Sequence, residues 1–461
     1  MLSSVMRSAF SKALAFTLAL GMGWAPTADA QSGRQTVIRD TEIEALLRSY
    51  AEPIFSAAGI GTSGSEIVIV QDNDFNAFVA SGRRMFIFTG TLSTAGTPNE
   101  VIGVLAHEAG HLAGGHLENL RNEIARAQAI GAVVGLLGVA GAAASIVGGS
   151  PEGARMGGMA ATMVPGVMTR SLLSYKRAQE LAADRAALSY LNATGQSASG
   201  MVETFSRFAD QQLFSAQYAD PYAQSHPMAR DRLDQLEASA QESRYWAVTD
   251  SPELQLRHDM MRAKLSGFID SPGMVERRFP RADKSLPAQY ARAIVAYRTG
   301  GTRSAIRAVD DLIRQAPSYP YFHELKGQVL LESGKAREAV APLRQAVALA
   351  PKAGLIRILL GHALLETGDE RLLADAVANL RAGLESEKLA SIGYRHLATA
   401  LQRQGKIADA ELATAEGLLI DGQVKDAQNF AERAQAKFKR GTPGWLKADD
   451  IITYEGPTGA N

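Results

Sequence analysis

Residues 104–116 read V-L-A-H-E-A-G-H-L-A-G-G-H and hold three of the eight histidines in the chain. His107 and His111 are four residues apart, so on a helix both imidazoles lie on one face and can bind the same metal ion. Glu108 lies beside that ion, where its carboxylate can take a proton from a bound water molecule. Apolar residues at helical spacing predict that residues 99–118 form this helix. The alternative is a pair of surface histidines on an ordinary helix.

A catalytic zinc site needs a third protein ligand, and the chain has no cysteine to supply one. His116 is the first candidate, five residues after His111. Five residues along a continuing helix turn the chain by about 500°, which is about 140° away from the ligand face. We therefore expect His116 at the end of the helix or beside the ligands, and not bound to the metal.

The second candidate is Glu180, in the sequence E-L-A-A-D, on a helix predicted for residues 171–191. Glu180 and Asp184 share one face of that helix, so Glu180 can bind the metal while Asp184 accepts the outer N–H of a ligating histidine. The alternative is an exposed acidic patch beside Arg185. Because the pair follows an H-E-x-x-H helix, the sequence favours the ligand interpretation.

Two short segments are typical of β-strands, because branched and aromatic residues dominate them. They are residues 66–71 (EIVIVQ) and 84–89 (RMFIFT). Helical patterns prevail elsewhere, so we expect a mainly α fold with a small β-sheet. The metal-binding domain is predicted over residues 31–270.

Residues 127–150 contain no charged side chain and would be long enough to cross a bilayer. They lie between His111 and Glu180, which must share one ion, so a single crossing would separate the ligands. We predict instead that residues 127–168 form an apolar hairpin that contacts the membrane surface and partly covers the site. A plain buried hairpin is the alternative.

A period of 34 residues marks the C-terminal part of the chain: Gly300, Gly334 and Gly368 are equally spaced, and small residues and prolines repeat with them. This period is typical of the tetratricopeptide repeat, whose paired helices stack into a solenoid with a concave binding surface. The repeats are predicted over 286–440, after a linker at 271–285 and before a tail at 441–461. An unrelated helical bundle is the alternative.

The 461 residues include 48 basic and 48 acidic side chains, a balance that argues against nucleic acid as a partner. Arg7 and Lys12 precede an apolar run, and Ala28-Asp29-Ala30 is typical of a cleavage site. Residues 1–30 are therefore predicted to be a signal peptide, with an N-terminal membrane anchor as the alternative. Export of a chain without cysteine fits the periplasm of a Gram-negative bacterium.

These motifs together resemble a known family. Asn76-Ala77-Phe78, the H-E-A-G-H helix and E-L-A-A-D are similar to the gluzincin metalloproteases that include HtpX and the CAAX prenyl proteases. With an export signal and C-terminal repeats, the chain most resembles the periplasmic BepA-type, or β-barrel assembly-enhancing, proteases. The resemblance implies one zinc ion bound by His107, His111 and Glu180. It also implies that Glu108 is the general base and that Asp184 is a hydrogen-bond partner of a ligating histidine.

Two further expectations come from the same resemblance. His226 in Ser225-His226-Pro227, followed by Arg232, matches a stretch whose histidine can occupy the open metal position and hold the enzyme inactive. On chemical grounds His226 could instead donate a hydrogen bond to the reaction's oxyanion. Residues 76–79 would offer main-chain groups to an extended substrate.

Two functions are therefore expected from the sequence. The first is a zinc endopeptidase that cleaves unfolded or misassembled envelope proteins, in outer-membrane protein quality control, with the repeats contacting the β-barrel assembly machinery. The alternative is a repeat scaffold or chaperone of outer-membrane protein assembly whose protease activity is mostly latent.

Overall fold

The computed structural model describes residues 36–61, 66–80, 84–126, 151–214, 226 and 230–456, with the backbone alone for 151–171 and 210–214. The chain divides into two compact units. One consists of residues 46–258, and the other, here called the repeat unit, of residues up to 45 together with those from 259 onward. The described chain is mainly α-helical with a small sheet, which confirms the predicted fold class.

The elements before residue 259 alternate early between strands and helices and are then all helical. Their bounds are β1 Thr36–Ile38, α1 Thr41–Ala57, β2 Glu66–Gln71, β3 Ala77–Ala80, β4 Arg84–Phe88, α2 Thr89–Thr94, α3 Pro98–Ala113, α4 Pro151–Ala193, α5 Ser199–Phe214, α6 Arg230–Gln241 and α7 Pro252–Ile269. Residues 116–126 are also helical. The helices α1 and α7 contain the two division points between the units.

The central strand β4 pairs with β2 in parallel and with β3 antiparallel. Val68, Ile69 and Ile87 are buried. Because successive residues of a strand point to opposite faces, the burial of both Val68 and Ile69 means that both faces of β2 are covered at this point. The strand β3 lies at the edge of the sheet. Both predicted strands are present, and β4 ends one residue earlier than expected.

Helix α3 begins where the sequence predicts: Thr97 caps it by accepting a hydrogen bond from the Glu100 amide, and Pro98 occupies the first turn. Its end differs from the expectation. The predicted helix 99–118 is broken at Gly114 and Gly115, because Gly115 adopts a positive φ of 60° that ends the helix. Residues 116–126 then form a separate helical stretch.

Helix α4 begins at Pro151, twenty residues before the predicted start at residue 171. The predicted start was wrong because the glycines and methionines of residues 156–168, assigned to the predicted hairpin, continue the same helix. Residues 127–150, the rest of the predicted hairpin, lie outside the described residues. No described helix combines the length and the hydropathy that a membrane crossing requires.

The repeat unit consists of stacked helix pairs separated by turns at glycine. Gly300, Gly334, Gly368 and Gly405 all have positive φ between 72° and 82°, the conformation that favours glycine at the end of a helix. The helices are α8 Pro272–Arg278, α9 Leu286–Arg298, α10 Thr302–Gln315, α11 Pro320–Glu332, α12 Ala336–Leu349, α13 Gly354–Glu366, α14 Leu373–Ser386, α15 Ser391–Arg403, α16 Ile407–Ile420, α17 Val424–Gln435 and α18 Pro443–Ile452.

Two segments for which the sequence suggested no regular structure are partly helical. The predicted linker 271–285 contains α8, and the predicted tail 441–461 contains α18. A short 3-10 turn, Glu370–Leu372, accounts for the extra residues that lengthen one repeat. Alanines line the contact between successive helices, as at Ala305 and Ala339, because small side chains let the helices pack closely.

Candidate active site

Two neighbouring helices of the 46–258 unit bring the predicted ligands together. His107 and His111 lie on α3 and Glu180 lies on α4. The Nε2 atoms of the two histidines are 3.1 Å apart. One Glu180 oxygen is 3.5 Å from Nε2 of His107, and the other is 3.4 Å from Nε2 of His111. The close approach of the helices depends on Gly110, which packs against the backbone of Ala183.

His226 lies against the same three side chains. Its Nδ1 is 3.3 Å from Nε2 of His107 and 3.1 Å from Oε1 of Glu180. Its Nε2 is 3.5 Å from Oε1 of Glu108. His226 is buried, and its neighbours Ser225 and Pro227 lie outside the described residues.

These four donors fit a tetrahedral metal ion. Zinc bonds to nitrogen and oxygen are about 2.0–2.1 Å long, so the corners of a zinc tetrahedron lie about 3.3 Å apart. Five separations between donor atoms of His107, His111, Glu180 and His226 run from 3.1 to 3.5 Å, with Oε2 of Glu180 facing His107 and Oε1 facing His111 and His226. Among the described residues, this is the one group of histidines and carboxylates close enough to hold a metal ion.

Asp184 and Arg232 contact two of the candidate ligands, His107 and Glu180, without belonging to the donor set. Oδ1 of Asp184 is 3.0 Å from Nδ1 of His107, the nitrogen that faces away from the other ligands. Arg232 donates two hydrogen bonds to Asp184, at 2.5 and 2.8 Å, and its third nitrogen is 2.9 Å from Glu180. All of these side chains are buried, so the charged pairs are little screened by water. The arrangement fixes both the orientation of His107 and the position of Glu180.

The electrostatics of the site follow from burial and from its carboxylates. Burial lowers the pKa of His107, but the hydrogen bonds and charges of Asp184 and Glu180 outweigh it and raise the pKa to about 9. Burial lowers the pKa of His111 to about 3. Burial raises the pKa of Glu108, and both of its oxygens lack a hydrogen-bond partner among the described residues. An uncompensated buried carboxylate is costly, which is consistent with a group that needs a cation or a proton nearby.

The sequence predicts that His116 is not one of the metal donors, and the structure agrees. His116 nevertheless contacts the donor His111. Because α3 ends at Gly114, the chain folds back and places Nδ1 of His116 2.9 Å from Nδ1 of His111. Gln179, next to Glu180, donates from Nε2 to the His116 carbonyl at 3.1 Å. Sequence reasoning missed Gln179, for which adjacency to Glu180 was the only signal.

Comparison with known proteins agrees with this geometry. Residues 38–240 match the model of peptidase family M48, and residues 290–354 match a model of the tetratricopeptide repeat. The chain contains an M48 peptidase domain. The predicted resemblance to gluzincin proteases with C-terminal repeats is thereby confirmed.

Two curated relatives match a stretch of the chain that is longer than the M48 domain. The putative beta-barrel assembly-enhancing protease of Vibrio cholerae is 24% identical over 296 residues, which are 62% of this chain and 58% of the relative. The beta-barrel assembly-enhancing protease of Escherichia coli K12 is 23% identical over 313 residues, 66% of this chain and 61% of the relative. The matched part of the chain thus spans about three fifths of the length of these relatives.

Solved structures of MamA are similar to part of this chain. A crystal structure of MamA has a TM-score of 0.28 and 17% identity, covering 35% of this chain and 90% of its own. MamA from Desulfovibrio magneticus RS-1 has a TM-score of 0.30 and 17% identity, covering 37% and 93%.

The edge strand β3 contacts α3, the helix that carries His107 and His111, and residues 76–79 were expected to offer main-chain groups to a substrate. For Asn76 this expectation was wrong. Its amide donates to Oγ1 of Thr91 at 2.8 Å, and its carbonyl accepts from the Phe88 amide at 2.9 Å and from Thr91 at 2.7 Å. The outer edge of β3 from Ala77 onward has no strand beside it among the described residues.

Proposed function

We propose that the chain is a zinc-dependent endopeptidase that cleaves unfolded or misassembled proteins of the cell envelope. The observation that carries the proposal is the convergence of His107, His111 and Glu180 at tetrahedral separations, with the buried Glu108 next to His107 in the sequence. Zinc bound by these three residues would acidify a water molecule and polarise a peptide carbonyl.

In the proposed reaction Glu108 is the general base. Its oxygens are free of hydrogen bonds among the described residues and its pKa is raised by burial, two properties that suit a carboxylate that takes up a proton and then delivers it to the leaving amine. Asp184 keeps the ring of His107 in place by its contact with Nδ1, and Arg232 keeps Asp184 in place. These two residues act by positioning and not by contact with the substrate.

The substrate is proposed to be an extended segment of another protein. The open edge of β3 can pair with such a segment through main-chain hydrogen bonds, which a folded domain cannot offer. The names of the relatives support a role in outer-membrane protein quality control, with the repeats contacting substrates or the assembly machinery. A periplasmic location and contact of residues 127–168 with the membrane surface belong to the same proposal.

A second candidate function is a repeat scaffold whose protease is mostly latent. The observation in its favour is His226, whose Nδ1 lies 3.1–3.3 Å from the donor atoms of Glu180 and His107, close enough to supply a fourth ligand. A ligand there would exclude the water that hydrolysis needs. His226 would then have to move before any substrate is cut.

The deciding experiment is cleavage of an unfolded β-barrel protein by the wild type and by Glu108→Gln, with zinc content measured in both. Glu108→Gln should retain zinc and lose about 10²–10⁴ in rate, the usual contribution of a general base. Glu203→Gln, the same change at an exposed glutamate on α5, is the matched control and should cleave normally. Cleavage by Glu108→Gln at the wild-type rate would refute the proposed chemistry.

The same assay with His226→Ala separates the two candidates. Faster cleavage than the wild type would indicate that His226 blocks the site. Slower cleavage with normal zinc content would indicate that His226 donates to the oxyanion. If neither the wild type nor His226→Ala ever cuts an unfolded protein, the scaffold function replaces the protease function.

A further inference from the structure

We propose that His116 is a positioning residue for the metal site: it accepts a hydrogen bond from Nδ1–H of His111 and so fixes the ring of that ligand. The inference rests on the proposed function, because it concerns the same site. It assigns a task to a histidine that lies outside the ligand set.

The geometry requires one of the two rings to donate and the other to accept. The Nδ1 atoms of His116 and His111 are 2.9 Å apart, and the rings are nearly perpendicular at 83°. Nε2 of His111 points the other way, 3.1 Å from Nε2 of His107. A neutral imidazole has one N–H and one lone pair, so a His111 that gives its Nε2 lone pair to a metal carries its proton on Nδ1. His116 must then be the acceptor.

The local fold is built to hold His116 in this position. Gly115 has a φ of 60°, which turns the chain back toward α3 immediately before His116. A methyl group on Gly114 would lie 2.4 Å from Nε2 of His116, so only glycine leaves room for the ring there. On the far side, Gln179 donates to the His116 carbonyl and links it to the helix that carries Glu180. Both ligand helices therefore fix the same histidine.

The contact resembles the partner that Asp184 provides for His107. Each ligating histidine has an acceptor against its Nδ1, a carboxylate at 3.0 Å for His107 and an imidazole at 2.9 Å for His111. Such partners orient metal ligands, and their loss commonly costs about 10–100-fold in metal affinity. A neutral acceptor adds no further charge to a site that already holds several buried carboxylates.

The test measures zinc affinity of the full chain by competition with a chromophoric chelator. His116→Leu removes the acceptor at similar size and should weaken zinc binding about 10–100-fold. His116→Asn places Oδ1 near the position of Nδ1 and should stay within about threefold of the wild type. His323→Leu, a histidine replaced in the repeat unit, is the control and should bind zinc normally. The visible spectrum of the Co²⁺-loaded protein should change in His116→Leu and not in His116→Asn.

Three results would overturn the inference: wild-type zinc affinity in His116→Leu, equal weakening by leucine and asparagine, or an unchanged Co²⁺ spectrum in His116→Leu. If His116→Leu does not fold, Gly114→Ala takes its place, because its methyl group displaces the same ring, and normal zinc affinity there would count against the inference. A wild type that binds no zinc would overturn the proposed function itself, which is a distinguishable outcome.

Discussion

The substitution Gly110→Ala tests whether the spacing of the two ligand helices sets the metal site. Gly110 lies between Glu108 and His111 on α3, and its Cα faces the backbone of Ala183 on α4. A methyl group there would lie 2.8 Å from the Ala183 carbonyl oxygen and 2.9 Å from its Cα, whereas ordinary contacts are 3.4–4 Å. Because both neighbours are backbone atoms, the helices themselves must move apart.

The size of the effect can be worked out from these distances. Relief of the contacts requires a separation of about 0.5 Å or more, and Ala183 lies three residues after Glu180, so the carboxylate moves with it. A misplacement of about 1 Å can cost about 100-fold in rate, so we expect Gly110→Ala to lose about 10–100-fold in cleavage. Overpacking costs about 1–3 kcal/mol of stability, of which the better helix propensity of alanine returns up to about 1 kcal/mol.

The control is Gly103→Ala on the same helix. A methyl group at Gly103 would lie 2.6 Å from Cβ and 2.8 Å from Cα of Met201, on α5, which carries none of the candidate ligands. Both variants should lose similar stability in thermal unfolding, and only Gly110→Ala should also lose zinc affinity and cleavage of an unfolded protein. Equal zinc affinity and equal rates in the two variants would refute the reasoning.

Three other perturbations have defined outcomes. Asp184→Asn should weaken zinc binding about 10–100-fold in a chelator competition, because the partner of His107 loses its charge, and an unchanged affinity would contradict this. Removal of zinc with a chelator should lower the unfolding temperature, since ligand at about a thousand times its Kd contributes about 4 kcal/mol, and identical melting with and without metal would contradict it. Burial raises the pKa of Glu324, which lies beside Lys264, from its ordinary value of 4.5 to about 7. Between pH 4.5 and pH 7 the folded state therefore binds more protons than the unfolded state. The stability of the repeat unit should therefore fall as pH rises through this range, by at most about 3 kcal/mol, and urea unfolding at pH 5 and pH 8 should show less of this fall in Glu324→Gln.

The local features of the site could be predicted from the sequence because each depends on helical spacing. His107 and His111 at i and i+4 share a face of α3, and Glu180 and Asp184 share a face of α4. The glycine period of the repeats is equally local, since each Gly ends one helix with a positive φ. In all these cases the prediction needs only a few consecutive residues.

The features that escaped prediction depend on contacts between distant residues. The position of His116 beside the ligands was predicted, but the break at Gly114 and Gly115 that brings its ring onto His111 was not. Nothing near residue 40 indicates that Asp40 pairs with Lys264, at 2.7 Å, inside the repeat unit. The side on which His226 approaches Glu180 is likewise a property of the folded chain alone.

The charge balance of the site fits the divalent cation that we propose. Glu108, Glu180 and Asp184 are buried carboxylates, and Arg232 is the guanidinium that contacts two of them. With all three carboxylates ionised and the histidines neutral, as they are when they bind a metal, the site holds about two excess negative charges, which a dication cancels. Without a metal, the raised pKa of His107 lets this ring carry one compensating positive charge. The contacts of Arg232 stabilise Asp184 and Glu180, whereas Glu108 has only Nε2 of His226 at 3.5 Å and no hydrogen bond among the described residues. A buried carboxylate without a hydrogen bond breaks the ordinary rule for buried groups, and such exceptions concentrate where chemistry is done. A buried glutamate without a hydrogen bond lowers the stability of the folded state. Beside a bound cation, the same carboxylate can act as a base that accepts a proton.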